Sequence, residues 1–227
     1  MSWELIALLV VAALPALIVL QALVAKWEKR MVWPYGELQS QPHFGDPSGY
    51  GTGCLQEAAQ SGWQFLGWAP DLKGEMYRVS YAMLLAPECD GLAIIGVGQV
   101  LNFQVAGTWL HSLARDDPRS WFSTDQQACL ETDLSGLWTG RLVHVNSFGE
   151  LWQRHRTWVG SLGVPLLAFA PQAAVQQFRR YREARCDELA RRGLIAYTDP
   201  QQIHWRYTWG GALKVAVRSL LRGFSPK

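Results

Sequence analysis

LIALLVVAALPALIVLQALVA, residues 5–25, is 21 residues long, carries no charge and has Gln21 as its one polar side chain. At about 1.5 Å of rise per residue a helix of this length reaches roughly 31 Å, the thickness of a bilayer's hydrocarbon core. The stretch from Leu5 through Pro15 to Ala25 is therefore expected to be a single membrane-spanning helix, with residues 1–30 as anchor and flanks. A cleaved secretory signal fits less well, because Met1-Ser2-Trp3-Glu4 contains an acid and no Lys or Arg, and the apolar run is long. Trp3 and Trp27 stand at its two ends, where indole rings favour the headgroup layer, and Lys26, Lys29 and Arg30 follow the run. These five are the expected interfacial anchors. By the positive-inside rule the N-terminus lies outside and the long C-terminal part is cytoplasmic. Pro15 removes one backbone hydrogen bond and can kink the helix.

Beyond residues 1–30, 197 residues remain, enough for one domain or two small ones. Charge is unevenly placed: residues 1–149 hold 8 Lys and Arg against 14 Asp and Glu, and residues 150–227 hold 13 against 5. An acidic front and a basic back imply either an anionic partner at the back, lipid headgroups or nucleic acid, or two halves that dock on one another. Twelve Trp is an excess, and large amphipathic rings serve cores, interfaces and headgroup regions alike. Cys54, Cys89, Cys129 and Cys186 are far apart, without a CxxC pair, which does not read as a disulfide framework.

Residues 31–53 are dense in Gly, Pro, Ser and Gln and read as a juxtamembrane linker. A short helix over 52–61 follows, with Thr52 as N-cap and Gly62 as its stop. Aromatic and β-branched runs at 63–68, 76–85, 92–95, 99–104, 107–113, 120–124, 128–131 and 142–145 are separated by turn residues every eight to twelve positions. They predict a small antiparallel sheet or barrel-like domain over 54–160, closed by a helix that starts at Ser147. The rest, 161–227, is basic and helical with a hairpin. Pro171 opens an amphipathic helix to Arg192, stopped by Gly193; a turn at 198–202 joins two strands, and a basic amphipathic helix ends the chain. Its cations, with those of the long helix, are the expected headgroup or partner contacts: Arg179, Arg180, Arg185, Lys214, Arg218 and Arg222. The fold class is thus α+β, a membrane helix followed by a small sheet, C-terminal amphipathic helices and a β-hairpin.

Two resemblances accompany this reading. A sheet covered by a C-terminal helix resembles pleckstrin-homology-like barrels in element order alone. The helix ending in Arg191-Arg192-Gly193-Leu194-Ile195, followed by a hairpin, resembles the recognition helix and wing of winged-helix DNA-binding domains over about 40 residues. It departs from that family where GSLGVPLLAFA, residues 160–170, replaces the two short helices expected upstream.

Catalysis finds little support. Gly96-Val97-Gly98 lacks the third glycine of a dinucleotide loop, and phosphate-loop, HExxH and GxSxG patterns are absent from the sequence. The histidines have no metal spacing. His144 and His155 are close enough in sequence to approach one another, and Ser123 and Cys129 are the nucleophiles one would try first. No catalytic, cofactor-binding or metal-ligating residue is assigned, and no cofactor is expected. The sequence reads as a single-pass accessory or scaffold subunit of a larger membrane complex, acting by binding, with the lipid bilayer and other subunits as partners. A membrane-tethered nucleic-acid-binding regulator and a membrane-anchored enzyme with an unrecognised site are the alternatives.

Overall fold

The computed structural model describes residues 3–46, 48–72, 77–100, 103–117, 120–125 and 138–223; within its helices and strands the side chains at 4–12, 14, 77, 105, 138, 139, 142 and 218–223 lie outside the description. The chain divides into two units, Met1–Val32 with Arg185–Lys227, and Trp33–Ala184.

In the unit Trp33–Ala184 the period-2 runs build six strands. These are β2 (Gln64–Pro70), β3 (Tyr77–Leu85), β4 (Leu92–Val100), β5 (Phe103–Leu113), β6 (Trp121–Asp125) and β7 (Trp138–Leu142), hydrogen-bonded in that order. Pairing is antiparallel from β2 to β6 and parallel between β6 and β7. The expected small antiparallel sheet or barrel is therefore corrected to a large mixed sheet. The sequence pattern divides β4 at its glycines, whereas Gly96 and Gly98 lie inside one long strand. A Cβ at Gly96 would stand 2.9 Å from the Trp109 ring and 3.1 Å from Tyr81, so the glycine marks where two rings converge over the strand. Gly98 has φ +145° and closes onto the Arg78 carbonyl, where a Cβ would lie 2.0 Å away. The strand expected at 128–131 lies outside the described residues.

Both faces of the sheet are covered, which is why β4 is buried from Leu92 through Gly98. On one face α2 (Tyr50–Gln60) and α3 (Phe148–Ser161) bring Cys54, Ala58, Phe148 and Leu151 onto Ala82, Leu84, Ile95 and Leu110. On the other, Phe169 and the first turns of α4 (Ala174–Arg191) set Ala174 and Phe178 on Leu92, Ile94, Leu113 and Trp121. Ser147 caps α3, its hydroxyl accepting from Glu150 N–H at 3.1 Å, and the Glu57 carboxylate of α2 accepts from Phe148 N–H at 2.7 Å and Gly149 N–H at 3.2 Å. Thr52 is not the cap of α2. The helix begins earlier, after Gly49, and the Asp46 carboxylate takes the Thr52 N–H from outside.

The other unit holds α1 (Trp3–Trp27), the antiparallel sheet β1 (Arg30–Met31), β9 (His204–Tyr207) and β8 (Ile195–Tyr197), α5 (Trp209–Gly223), and α4 from Arg185 onward. Thr208 starts α5, accepting from Gly211 N–H at 3.1 Å while its hydroxyl donates to the Gly193 carbonyl at 2.7 Å. Gly211 itself leaves no room for a side chain, since a Cβ would fall 1.9 Å from the Leu194 carbonyl oxygen.

The stretch at 5–25 does form helix α1, but among the described residues no helix is long and apolar enough to cross a membrane. The single-pass anchor is corrected accordingly, together with the membrane localisation, the outside N-terminus and the cytoplasmic domain deduced from it. Hydropathy read along a chain does not register lateral packing. In the folded unit α1 packs on α5, and small side chains are buried on both helices, Ala22 and Ala25 on α1 and Ala212 and Ala216 on α5. Ala25 is thus a packing residue, Pro15 is exposed within the helix, and the Leu5 side chain lies outside the described residues.

Candidate functional site

Buried polar groups concentrate on β5 and β6, where the sheet places Thr108, His111, Ser112, Ser123, Thr124 and Asp125 inside. Removing so many polar groups from water is costly unless each finds a partner. Strand alternation sends them to opposite faces. Ser112 and Thr124 face α3, and the i, i+4 spacing of Leu151, His155 and Val159 turns the His155 imidazole onto them. Ser112 Oγ donates to the Asp90 carbonyl at 2.9 Å, so it faces His155 Nε2, 3.0 Å away, as an acceptor. Thr124 Oγ1 lies 2.8 Å from Nδ1. The network therefore assigns the proton to Nε2 and leaves Nδ1 to accept from threonine. Trp152 stacks on the ring at 5.6 Å between centroids, and Trp158 meets it edge-on at 6.0 Å.

A serine beside a histidine invites a nucleophilic reading, and the geometry opposes it. Here the imidazole donates to the serine and the hydroxyl's own proton is directed at a carbonyl, the reverse of an activated Ser–His pair. Both side chains are inaccessible. Burial, reinforced by the Arg141 charge, holds the His155 pKa down to about 3. The pair is a neutral pin between helix and sheet. His144 is exposed, and the hydrogen bonds of the His155 ring go to Ser112 and Thr124. Ser123 is buried and donates to Asp125 Oδ1 at 2.7 Å; Cys129 lies outside the described residues.

The opposite face carries an arginine among rings. The buried guanidinium of Arg182, from α4, lies 5.7 Å from the Trp121 ring centroid and 5.9 Å from that of Tyr35. Tyr81 donates from its hydroxyl to Asp71 Oδ2 at 2.7 Å, and burial raises the phenol well above its usual pKa. A cleft of about 470 Å³ elsewhere in this unit is lined by Phe44, Gly45, Asp46, Arg78, Gly98 and Gln99. Its one carboxylate is committed. Burial would raise the Asp46 pKa, but hydrogen bonds from Thr52 and Ser48 outweigh it and hold the group below its usual value. Among the described residues there is no group of three or more His, Cys, Asp or Glu arranged to hold a metal ion.

The expected contact residues fall into distinct situations. Arg185 is buried. Arg179 pairs with Glu183 at 2.8 Å, and Arg191 and Arg192 close on the buried Glu188 at 2.7 and 2.6 Å, holding its pKa down to about 2. Arg180 is exposed, as are Lys29 and Lys214, while the side chains of Arg218 and Arg222 lie outside the described residues. Arg30 is not held outward. Its guanidinium lies 5.1 Å from the Tyr207 ring centroid and 5.7 Å from that of Trp205. Trp3 and Trp27 are exposed, and the Lys26 ammonium lies 5.9 Å from the Trp27 ring centroid.

Exposed apolar surface is concentrated in one place. Among the described residues 17 large hydrophobic side chains are exposed, and ten of them stand on α1 and α5. On α5 Trp209, Leu213 and Val217 are exposed at four-residue steps, while Ala212 and Ala216 are buried. The sequence pattern places Leu213 and Val217 on an apolar side of a terminal helix, but it does not point to the His155 pin or the Arg182 ring contacts. The one signal for His155 is its i, i+4 register with Leu151 and Val159. Compared with protein-family models, curated proteins and solved structures, the chain matches none.

Proposed function

We propose that the chain is a non-catalytic binding protein, an accessory or scaffold subunit that docks through the helices α1 and α5. The observation that carries this reading is the concentration of exposed large apolar side chains on those two helices. Apolar patches rimmed by polar residues are where soluble surfaces associate. The buried polar groups of the sheet support it from the other side, since Ser112, Ser123 and His155 are committed to internal hydrogen bonds and closed to substrate. A nucleic-acid reading draws less support, because five of the six arginines of α4 and its end are buried or ion-paired.

The test is purification of the tagged full chain from its native cells under mild conditions, with mass spectrometry of what co-migrates. A co-migrating companion, protein or lipid, retained in the Phe103→Asp variant of the other unit and lost in Leu213→Asp, is the expected result. A chain that migrates alone and binds nothing refutes the reading.

A further inference from the structure

The unit Met1–Val32 with Arg185–Lys227 contains 11 Lys and Arg against 5 Asp and Glu, a net +6, whereas Trp33–Ala184 contains 10 against 14, a net −4. The basic unit is also the one whose helices expose apolar side chains. On α5 the exposed Lys214 stands directly beside Leu213, on a helix whose buried side is alanine. We propose that this unit docks on an anionic lipid surface, with α5 and the exposed side of α1 lying in the headgroup layer rather than through it. The proposal rests on the binding reading above and names the partner of that same surface.

Three observations favour lipid. First, the net charge is complementary to phosphate headgroups and sits on the same unit as the apolar side chains. Second, Leu17, Val19, Leu20, Leu23, Val24 and Trp27 are all exposed, and at about 100° per residue they span roughly 160° of the helix circumference. That arc is wider than the narrow seam one partner helix fills, and a fluid acyl boundary covers all of it. Third, Trp27 and Trp209 are more than half exposed, each at a helix end near a cation or the chain's basic helix, where indoles favour the lipid–water boundary.

The experiment is flotation of the purified full chain with vesicles of phosphatidylcholine alone or with about one third phosphatidylglycerol. Binding is expected to the anionic vesicles, at least roughly tenfold tighter than to neutral ones, and to weaken in about 0.5 M salt. Leu213→Asp and Lys214→Glu should each weaken it roughly tenfold, and Phe103→Asp should leave it unchanged. No flotation, equal binding to neutral vesicles at any salt, or indifference to both α5 substitutions overturns the proposal. If vesicles are ignored while a companion protein co-migrates and is lost in Leu213→Asp, a protein occupies the surface: the lipid proposal falls and the binding reading stands. If neither vesicles nor companions bind, both fall.

Discussion

Acid should unfold the sheet-bearing unit through His155, and the size of the effect follows from its surroundings. The imidazole is inaccessible, its Nδ1 accepts from Thr124, and its folded pKa lies near 3 rather than the ordinary 6.5. The unfolded chain takes up a proton first as pH falls, so stability is fully present above about 6.5 and is lost progressively down to about 3. A tenfold difference in proton affinity between the unfolded and folded chain is worth about 1.4 kcal/mol, so lowering the pH from 7 to 4 should cost about 3 kcal/mol through this residue alone. For urea slopes of about 1–3 kcal/mol per molar, the midpoint moves by roughly 1 M or more. Urea titrations followed by tryptophan fluorescence at pH 7, 6, 5 and 4 would measure it, because Trp152 and Trp158 touch the ring. His155→Gln supplies polar atoms to Ser112 and Thr124 without a titrating group, so the carboxylates of both proteins cancel in the comparison. The wild-type midpoint should fall more steeply than the variant's between pH 6.5 and 4. Parallel pH dependences would refute the buried neutral pin.

Two further substitutions test the packing within each unit. Glu57→Gln removes the charge that accepts two amides at the start of α3, and should cost about 1–2 kcal/mol of unfolding free energy in urea at pH 7. Gly211→Ala drives a methyl into the Leu194 carbonyl, and should lower the thermal midpoint of its unit by several degrees while leaving the tryptophan signals around His155 in place.

How much of this is legible in the sequence depends on whether the determining interaction is local. Ser147 can be read as a cap because an N-cap acts on the next turn, and its hydroxyl does accept from Glu150 N–H. Thr52 fails as a cap because the helix already starts at Tyr50, and Asp46, six residues upstream, accepts from the Thr52 N–H itself; nothing in the helix pattern announces that. Gly96 and Gly98 look like a break in the strand pattern. Their reason for being glycine lies across the sheet, in the rings of Tyr81 and Trp109 and in the backbone of Arg78, and a single strand's sequence does not reveal its neighbours. The anchor fails for the same reason: a run of apolar residues fixes the helix, but which side of it packs on α5 is a property of a segment near the other end of the chain.

Charge divides along the same line. Six arginines between Arg179 and Arg192 suggest a free basic face, yet the partners chosen in the fold leave Arg180 as the one exposed without an ion pair among the described residues. Recognition of a nucleic-acid phosphate needs such heads free, because the guanidinium fork must reach two oxygens at once. Pairing removes that ability, but it does not remove net charge: Glu188, which Arg191 and Arg192 share, is already counted in the +6 of Met1–Val32 with Arg185–Lys227. What survives is a diffuse positive field over an apolar surface. A field of that kind discriminates poorly among individual phosphates and well between charged and neutral sheets of them, which is why the comparison of anionic with neutral vesicles, and its loss on Lys214→Glu, separates the two kinds of anion.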